Sequence, residues 1–315
     1  MLIYSRARQE AHIENEEQKE QDLWKQLPGK EGEERADILI ELAKQAIYRA
    51  EGNEALALTE EALKVYRSMG AKASSIEIAN AVTGISYSLK ELNRVEEAIQ
   101  SLDQAIEILR EGGYPFVVDT IRTKAVWLVG IEKYEEAIAT YLEAIQINEI
   151  NGESEFVGRD LYGIAICFQK QRKWTEAIAH AGSARENLKK DAKSLVDEIA
   201  WCDLLIADSY VELQNVEFAT DFVQRGYDIG TLRKQGALIC RGALIFGKIH
   251  VIKAEFEKAK TRFQEAKDLV TGTDDWDTVR DIEKEFMNLY LVQGRVEDAA
   301  EVERRMKSLD EVIGQ

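Results

Sequence analysis

Proline is almost missing from this 315-residue chain, with only Pro28 and Pro115 present. Proline breaks helix interiors, and strand-like Val/Ile/Thr runs are missing as well, so the chain reads as almost all helix. Histidine is equally scarce. His12, His180 and His250 lie far apart, and no His–Cys–carboxylate set has metal-ligand spacing, so no metal is expected. The three cysteines, Cys167, Cys202 and Cys240, are odd in number and widely spaced. Neither a disulfide framework nor a zinc site has that pattern, which leaves buried thiols in a reducing compartment. No run of 18 apolar residues occurs, and Met1 to Glu20 has no apolar stretch of the kind a signal peptide needs. Neither a membrane span nor secretion is expected, and a cytoplasmic location is. Positive charge is in deficit, with 41 Lys and Arg against 58 Asp and Glu and a net charge of -17. That balance excludes nucleic-acid backbones and anionic membranes as partners.

Catalytic signatures are missing too. There is no nucleophile elbow, no Gly-x-Gly-x-x-Gly and no His-Glu-x-x-His, so no catalytic residue, cofactor or enzyme activity is expected. Gly242-Ala-Leu-Ile-Phe-Gly247-Lys248 matches most of a phosphate loop. It is followed by Ile249 where Ser or Thr must ligate magnesium, and it lies inside an expected helix, so the nucleotide reading fails. Acidic pairs such as Glu96-Glu97 and Glu135-Glu136 open helices, where they favour the positive helix end.

What is present is a repeat. Ala followed by an apolar residue, with Ala or Gly seven positions after the first, recurs at Ala55, Ala98, Ala137 and Ala177, and more loosely at Ala219, Ala259 and Ala299. The steps are 43, 39, 40, 42, 40 and 40 residues. Twelve residues before each first alanine stands Ala43, Ser86, Ala125, Ala165, Ala207, Gly247 or Met287. Nine before it stands Ala46, Leu89, Leu128, Phe168, Tyr210, His250 or Tyr290. Small residues in fixed columns let helices approach closely, and bulky ones fill the gaps between layers. Each unit is therefore a helix, a short turn and a second helix. First helices are expected near 33–50, 73–92, 115–131, 155–171, 192–213, 233–253 and 274–293. Second helices are expected near 53–68, 95–111, 134–150, 174–190, 216–231, 256–271 and 296–313. Gly52-Asn53, Asn93, Gly112-Gly113, Asn151-Gly152, Asn215 and Gly272 punctuate them. His250 falls in a column that is Tyr or Phe elsewhere and reads as a packed imidazole.

These columns resemble the tetratricopeptide repeat family, most clearly in Tyr134-Glu-Glu-Ala137-Ile138 and Trp174-Thr-Glu-Ala177-Ile178. The resemblance covers about residues 33 to 313. It implies an all-α fold, a right-handed α-solenoid of seven helix-turn-helix repeats. The period of about 40 exceeds the family norm of roughly 34. It is similar to the long-repeat arrays of Rap- and PlcR-type regulators, kinesin light chains and LGN-like scaffolds. Residues 1–32 form a separate polar N-terminal segment, an exposed helix or partly disordered, ahead of the superhelix at 33–313. Leu23, Trp24 and Leu27 are expected to staple it onto the first repeat, and Leu2, Ile3 and Tyr4 are placed as a docking tail. At the other end Ala299, Val302, Met306, Leu309 and Ile313 form one stripe on a self-capping helix.

In the resembled family the first helices line a concave face that holds ligands. Three columns of the first helix, at offsets -3, +1 and +4 from its small residue, point inward. They contain five basic residues and one acidic residue, Asp208; adding offset -6, which includes Arg241, makes seven to four. The candidate partner-binding residues are Lys44, Asn80, Tyr87, Lys90, Arg122, Arg159, Tyr162, Trp201 and Lys248. They suit a partner with acidic or carboxylate groups. The alternative is that long side chains on an open face recognise nothing. Lys284 and Asn288 match the opening of the family's carboxylate clamp, but they lie in the last of the seven repeats, so the clamp is not carried over. The expected function is a scaffold or adaptor binding a partner peptide or helix. The alternatives are a peptide-sensing regulator of the Rap type and an assembly protein packing through its flanks into a homo-oligomer. The Rap-type reading implies an effector domain before the repeats, and the mostly polar residues 1–32 are too few to build one.

Overall fold

The computed structural model describes residues 17–191, 195–273 and 275–313, and among them every regular element is a helix. Residues 17–26 are helical (α1), and fourteen longer helices follow in seven hairpins. These are α2 (Gly32–Tyr48) with α3 (Gly52–Ser68), α4 (Ser75–Glu91) with α5 (Val95–Glu111), and α6 (Val117–Gly130) with α7 (Tyr134–Asn151). Then come α8 (Ser154–Lys170) with α9 (Trp174–Leu188), α10 (Val196–Glu212) with α11 (Val216–Arg233), α12 (Gly236–Ile252) with α13 (Phe256–Val270), and α14 (Trp276–Val292) with α15 (Val296–Ile313). Each of the fourteen lies within a few residues of the range expected from the columns. The docking tail Leu2, Ile3 and Tyr4, along with His12, lies outside the described residues.

Every hairpin turns the same way, for a reason the backbone makes explicit. At the turn inside each hairpin one residue has φ between 57° and 71°: Ala50, Asn93, Glu132, Arg172, Gln214, Ala254 and Gly294. The N–H of the residue after each reaches back five positions to a carbonyl of the first helix, at 2.8–2.9 Å, as from Lys173 to Phe168 and from Glu255 to His250. This closes the first helix with a Schellman motif. The acceptors Ala46, Leu89, Leu128, Phe168, Tyr210, His250 and Tyr290 are the bulky column of the repeat. Five of the seven left-handed positions are neither Gly nor Asn, so the turn geometry is imposed by packing rather than by glycine.

The small-residue columns are buried. Ala55, Ala98, Ala137, Ala177, Ala219 and Ala259 have no exposed surface. Gly247 shows why the column must stay small: a Cβ there would lie 2.1 Å from Phe263 Cε1. The same glycine sits mid-helix in α12, which disposes of the phosphate-loop match. All three cysteines are buried and free.

The chain divides into two compact units, residues 1–143 and 144–315. In the first, Leu39, Leu42, Leu58, Tyr66 and Val82 form the core. Leu23 packs against it from α1, and Leu27 does so from just beyond that helix. Trp24, expected to join them, is 41% exposed and donates its indole N–H to Glu20 at 3.3 Å. Lys19 and Glu20 also tie α1 to Glu41 and Arg49 of the first hairpin. In the second unit, successive cores run from Ala165, Ala177 and Ile206 to Phe263, Phe286 and Val302. Met306 covers the last of these from α15. In each unit a first helix packs on its own second helix and also on the first helix of the next hairpin: α2 on α4, α8 on α10, α10 on α12, α12 on α14. That arrangement puts the first helices on the inner side of each stack.

Candidate partner-binding groove

The inner face of the second unit is built from α8, α10, α12 and α14, and it holds a cavity of 510 Å³. Its lining follows the inward columns: Tyr162, Ile166 and Gln169 from α8, Trp201 and Leu204 from α10, Arg241 and Leu244 from α12, and Asp281 from α14. Cys240 also lines it, and burial pushes its thiol up to about 11, so it stays protonated and acts as part of an apolar wall. A smaller, polar cavity of 210 Å³ adjoins and shares Gln169, Lys170, Arg241, Leu244 and Asp281 with the first.

Asp208 organises the floor of the polar part. It is 7% exposed, and its carboxylate accepts from Arg241 at 2.7 Å, Lys248 at 2.7 Å and Gln169 Nε2 at 3.1 Å. Three repeats are thereby tied to one carboxylate. Burial alone would raise its pKa, but Arg241 and Lys248 outweigh burial and hold it below the ordinary aspartate value. Asp208 in turn raises the pKa of Arg241. Burial opposes the charge on Lys248, yet Asp208, Glu285 and Glu212 prevail and raise its pKa. Lys248 also donates to Glu212 at 2.6 Å. Glu285, on the same cavity, is shifted upward, first by burial. Tyr162 keeps part of its surface open to the cavity, and burial raises its pKa. Among the described residues no hydrogen-bond partner reaches the Tyr162 hydroxyl or the Trp201 indole N–H.

Tyr162, Trp201 and Lys248 thus meet around the two cavities, with Lys248 already paired inside the protein. Arg159 bonds Glu155 at 2.7 Å and Glu198 at 3.2 Å and lines neither cavity. In the first unit Tyr87 meets Trp127 edge-on, 5.2 Å between centroids, and Lys90 lies 6.0 Å over the same ring. Lys44 pairs with Glu41 at 3.2 Å, Arg122 with Asp119 at 3.1 Å, and Asn80 is exposed on α4. Trp127, Arg241 and the central part played by Asp208 were not among the expected site residues. His250 is half-buried, with Nδ1 2.7 Å from Glu255, rather than a wholly packed imidazole.

A tetratricopeptide-repeat family model matches residues 79–108. Among solved structures, the apo quorum sensor NprR from B. thuringiensis superposes with a TM-score of 0.73 at 15% identity, covering 96% of this chain and 83% of that one. The apo form of RapI gives 0.72 at 17% identity, covering 89% and 98%. The chain has the fold of a tetratricopeptide-repeat protein. A Rap conjugation gene regulator of plasmid pLS20, in complex with the Phr* peptide, shares this repeat fold with a TM-score of 0.54 at 11% identity, covering 88% and 76%. A curated Arabidopsis thaliana relative, Protein KINESIN LIGHT CHAIN-RELATED 3, is 29% identical over 131 residues, which is 41% of this chain and 20% of that protein. The match therefore spans a fifth of that relative's length. No helix among the described residues of this repeat protein is long and apolar enough to cross a membrane.

Proposed function

We propose that this tetratricopeptide-like protein is a protein-interaction module that holds a partner peptide along the first-helix face. The observation that carries this is the 510 Å³ cavity lined by one inward column after another from α8 to α14. A cavity of that size, with apolar walls and a few polar heads, is the usual form of a recognition site. The Rap regulator bound to the Phr* peptide and the quorum sensor NprR share this fold, which favours a peptide-sensing regulator as the second reading. The two readings share the site and differ in the consequence of binding.

The test is affinity capture and mass spectrometry with the full chain and two variant pairs. Ala237→Trp with Trp201→Phe alters the cavity lining on α12 and α10, while Glu143→Lys with Lys189→Glu alters the middle of α7 and the residue just past α9. Loss of the captured partner in the first pair alone, with unchanged melting curves, supports the reading. Loss in the second pair alone places the partner elsewhere and refutes the groove. A peptide-sensing regulator would in addition change a second partner's binding when peptide is added.

A further inference from the structure

We propose that the 510 Å³ cavity is a specificity pocket for a bulky apolar side chain on an extended, uncharged peptide segment, chosen without help from charge. This rests on the groove reading above and deepens it. The inner columns carry a surplus of basic residues, which alone would favour an acidic ligand. The structure spends that charge internally. Arg241 and Lys248 both close on Asp208, Lys248 also closes on Glu212, and Lys284 pairs with Asp281 at 3.3 Å. A ligand carboxylate entering here would compete with acids already in place and would meet Asp281 and Glu285 at the same wall.

The lining also carries Lys170, set against the carboxylates of Asp275 and Asp281, and the hydroxyls of Thr273 and Thr278; beyond these it is apolar surface with two open donors. Ile166, Trp201, Leu204 and Leu244 form walls on three successive first helices. The Tyr162 hydroxyl and the Trp201 indole N–H, one repeat apart, have no partner among the described residues. A ligand that satisfies them must bring acceptors into an apolar cleft. Backbone carbonyls do this without charge. An extended chain advances about 3.3–3.4 Å per residue, and packed helices stand about 8–10 Å apart. About three residues of extended peptide therefore separate the reach of α8 from that of α10.

The experiment selects randomised displayed heptapeptides on the full chain and measures the enriched ones by fluorescence polarisation. Ala237 is exposed at the mouth of the cavity, so Ala237→Trp plugs it without touching the core. Enriched peptides should carry Phe, Leu, Ile or Met at one position with no excess of Asp or Glu. Their affinity should fall at least about tenfold on Ala237→Trp and about fivefold on Tyr162→Phe or Trp201→Phe, the loss of one hydrogen bond each. It should change less than about twofold between roughly 0.05 and 0.5 M salt. Acidic peptides whose binding collapses with salt would overturn the inference and leave the groove reading standing. Apolar peptides that ignore both the plug and the Tyr162→Phe variant would also overturn it. No enrichment over the plugged variant would overturn the inference and the groove reading together.

Discussion

Replacing Asp208 by Asn removes one charge from the centre of the second unit and changes almost no volume. Two ion pairs at 2.7 Å are lost, while the amide still accepts from Gln169. At an effective dielectric of about 20, each pair is worth about 4 kcal/mol at 4 Å, before desolvation is subtracted. Relief of the buried carboxylate returns several kcal/mol, and removing one partner of a buried pair costs about 3–5 kcal/mol in net terms. The Arg241 and Lys248 side chains are 33% and 18% exposed, and Lys248 retains Glu212, so the loss belongs near or below the lower end, about 2–3 kcal/mol. Urea unfolding of the full chain, monitored by circular dichroism, measures it. A cycle with Lys248→Met separates the pair from the site, with an expected coupling of about 1–2 kcal/mol. The acid dependence gives an independent check. The Asp208 carboxyl is held below its ordinary value in the fold, so its contribution is present above the unfolded pKa of about 3.9 and is lost as pH falls through the folded value. The difference between wild type and Asp208→Asn should be full near neutral pH and shrink below about pH 4. A variant as stable as wild type at neutral pH, or a difference that grows in acid, would show that the carboxylate does not hold the three repeats together.

The packing makes two further outcomes testable. Ala177→Leu places three extra carbons at a position with no exposed surface and should cost about 1–3 kcal/mol in thermal or urea melts; an unchanged melt would mean that the small column is not a contact. Arg172→Gly and Gln214→Gly replace exposed residues at φ 59° and should each raise stability by about 0.5–1 kcal/mol, the relief of left-handed strain less the added freedom of the unfolded chain; a loss would mean that those side chains make contacts that matter.

The helices and their pairing were legible because the repeat states each requirement seven times. A small residue twelve positions before another small residue says little once. In seven registers it fixes both helices and the face between them. The turns were legible only in part. Asn93 and Gly272 sit at left-handed positions, but Ala50, Glu132, Arg172, Gln214 and Ala254 carry no local mark of the conformation they adopt. Their φ values are set by the Schellman bonds and by the packing on either side, which no single residue announces.

The charge network was hidden for a different reason, and that reason shows how it could have been found. Counting along the inner columns registers Asp208 as one acid among basic residues. What matters is the neighbour one repeat away. Asp208 and Lys248 occupy the same column 40 residues apart and touch. Gln169 reaches Asp208 across 39 residues, Gln235 reaches Asp197 across 38, and Tyr227 reaches Glu265 across 38. In a stack whose layers contact mainly their neighbours, a separation of one period is a spatial contact. The sign of each residue should therefore be read against the residue one period before and after it. Read that way, Lys248 and Arg241 are already paired with the preceding repeat before any ligand arrives, while Lys44, Arg122 and Lys284 pair with acids of their own helices. In the pocket proposed above, recognition therefore rests on the apolar wall and on two donors one repeat apart, Tyr162 and Trp201.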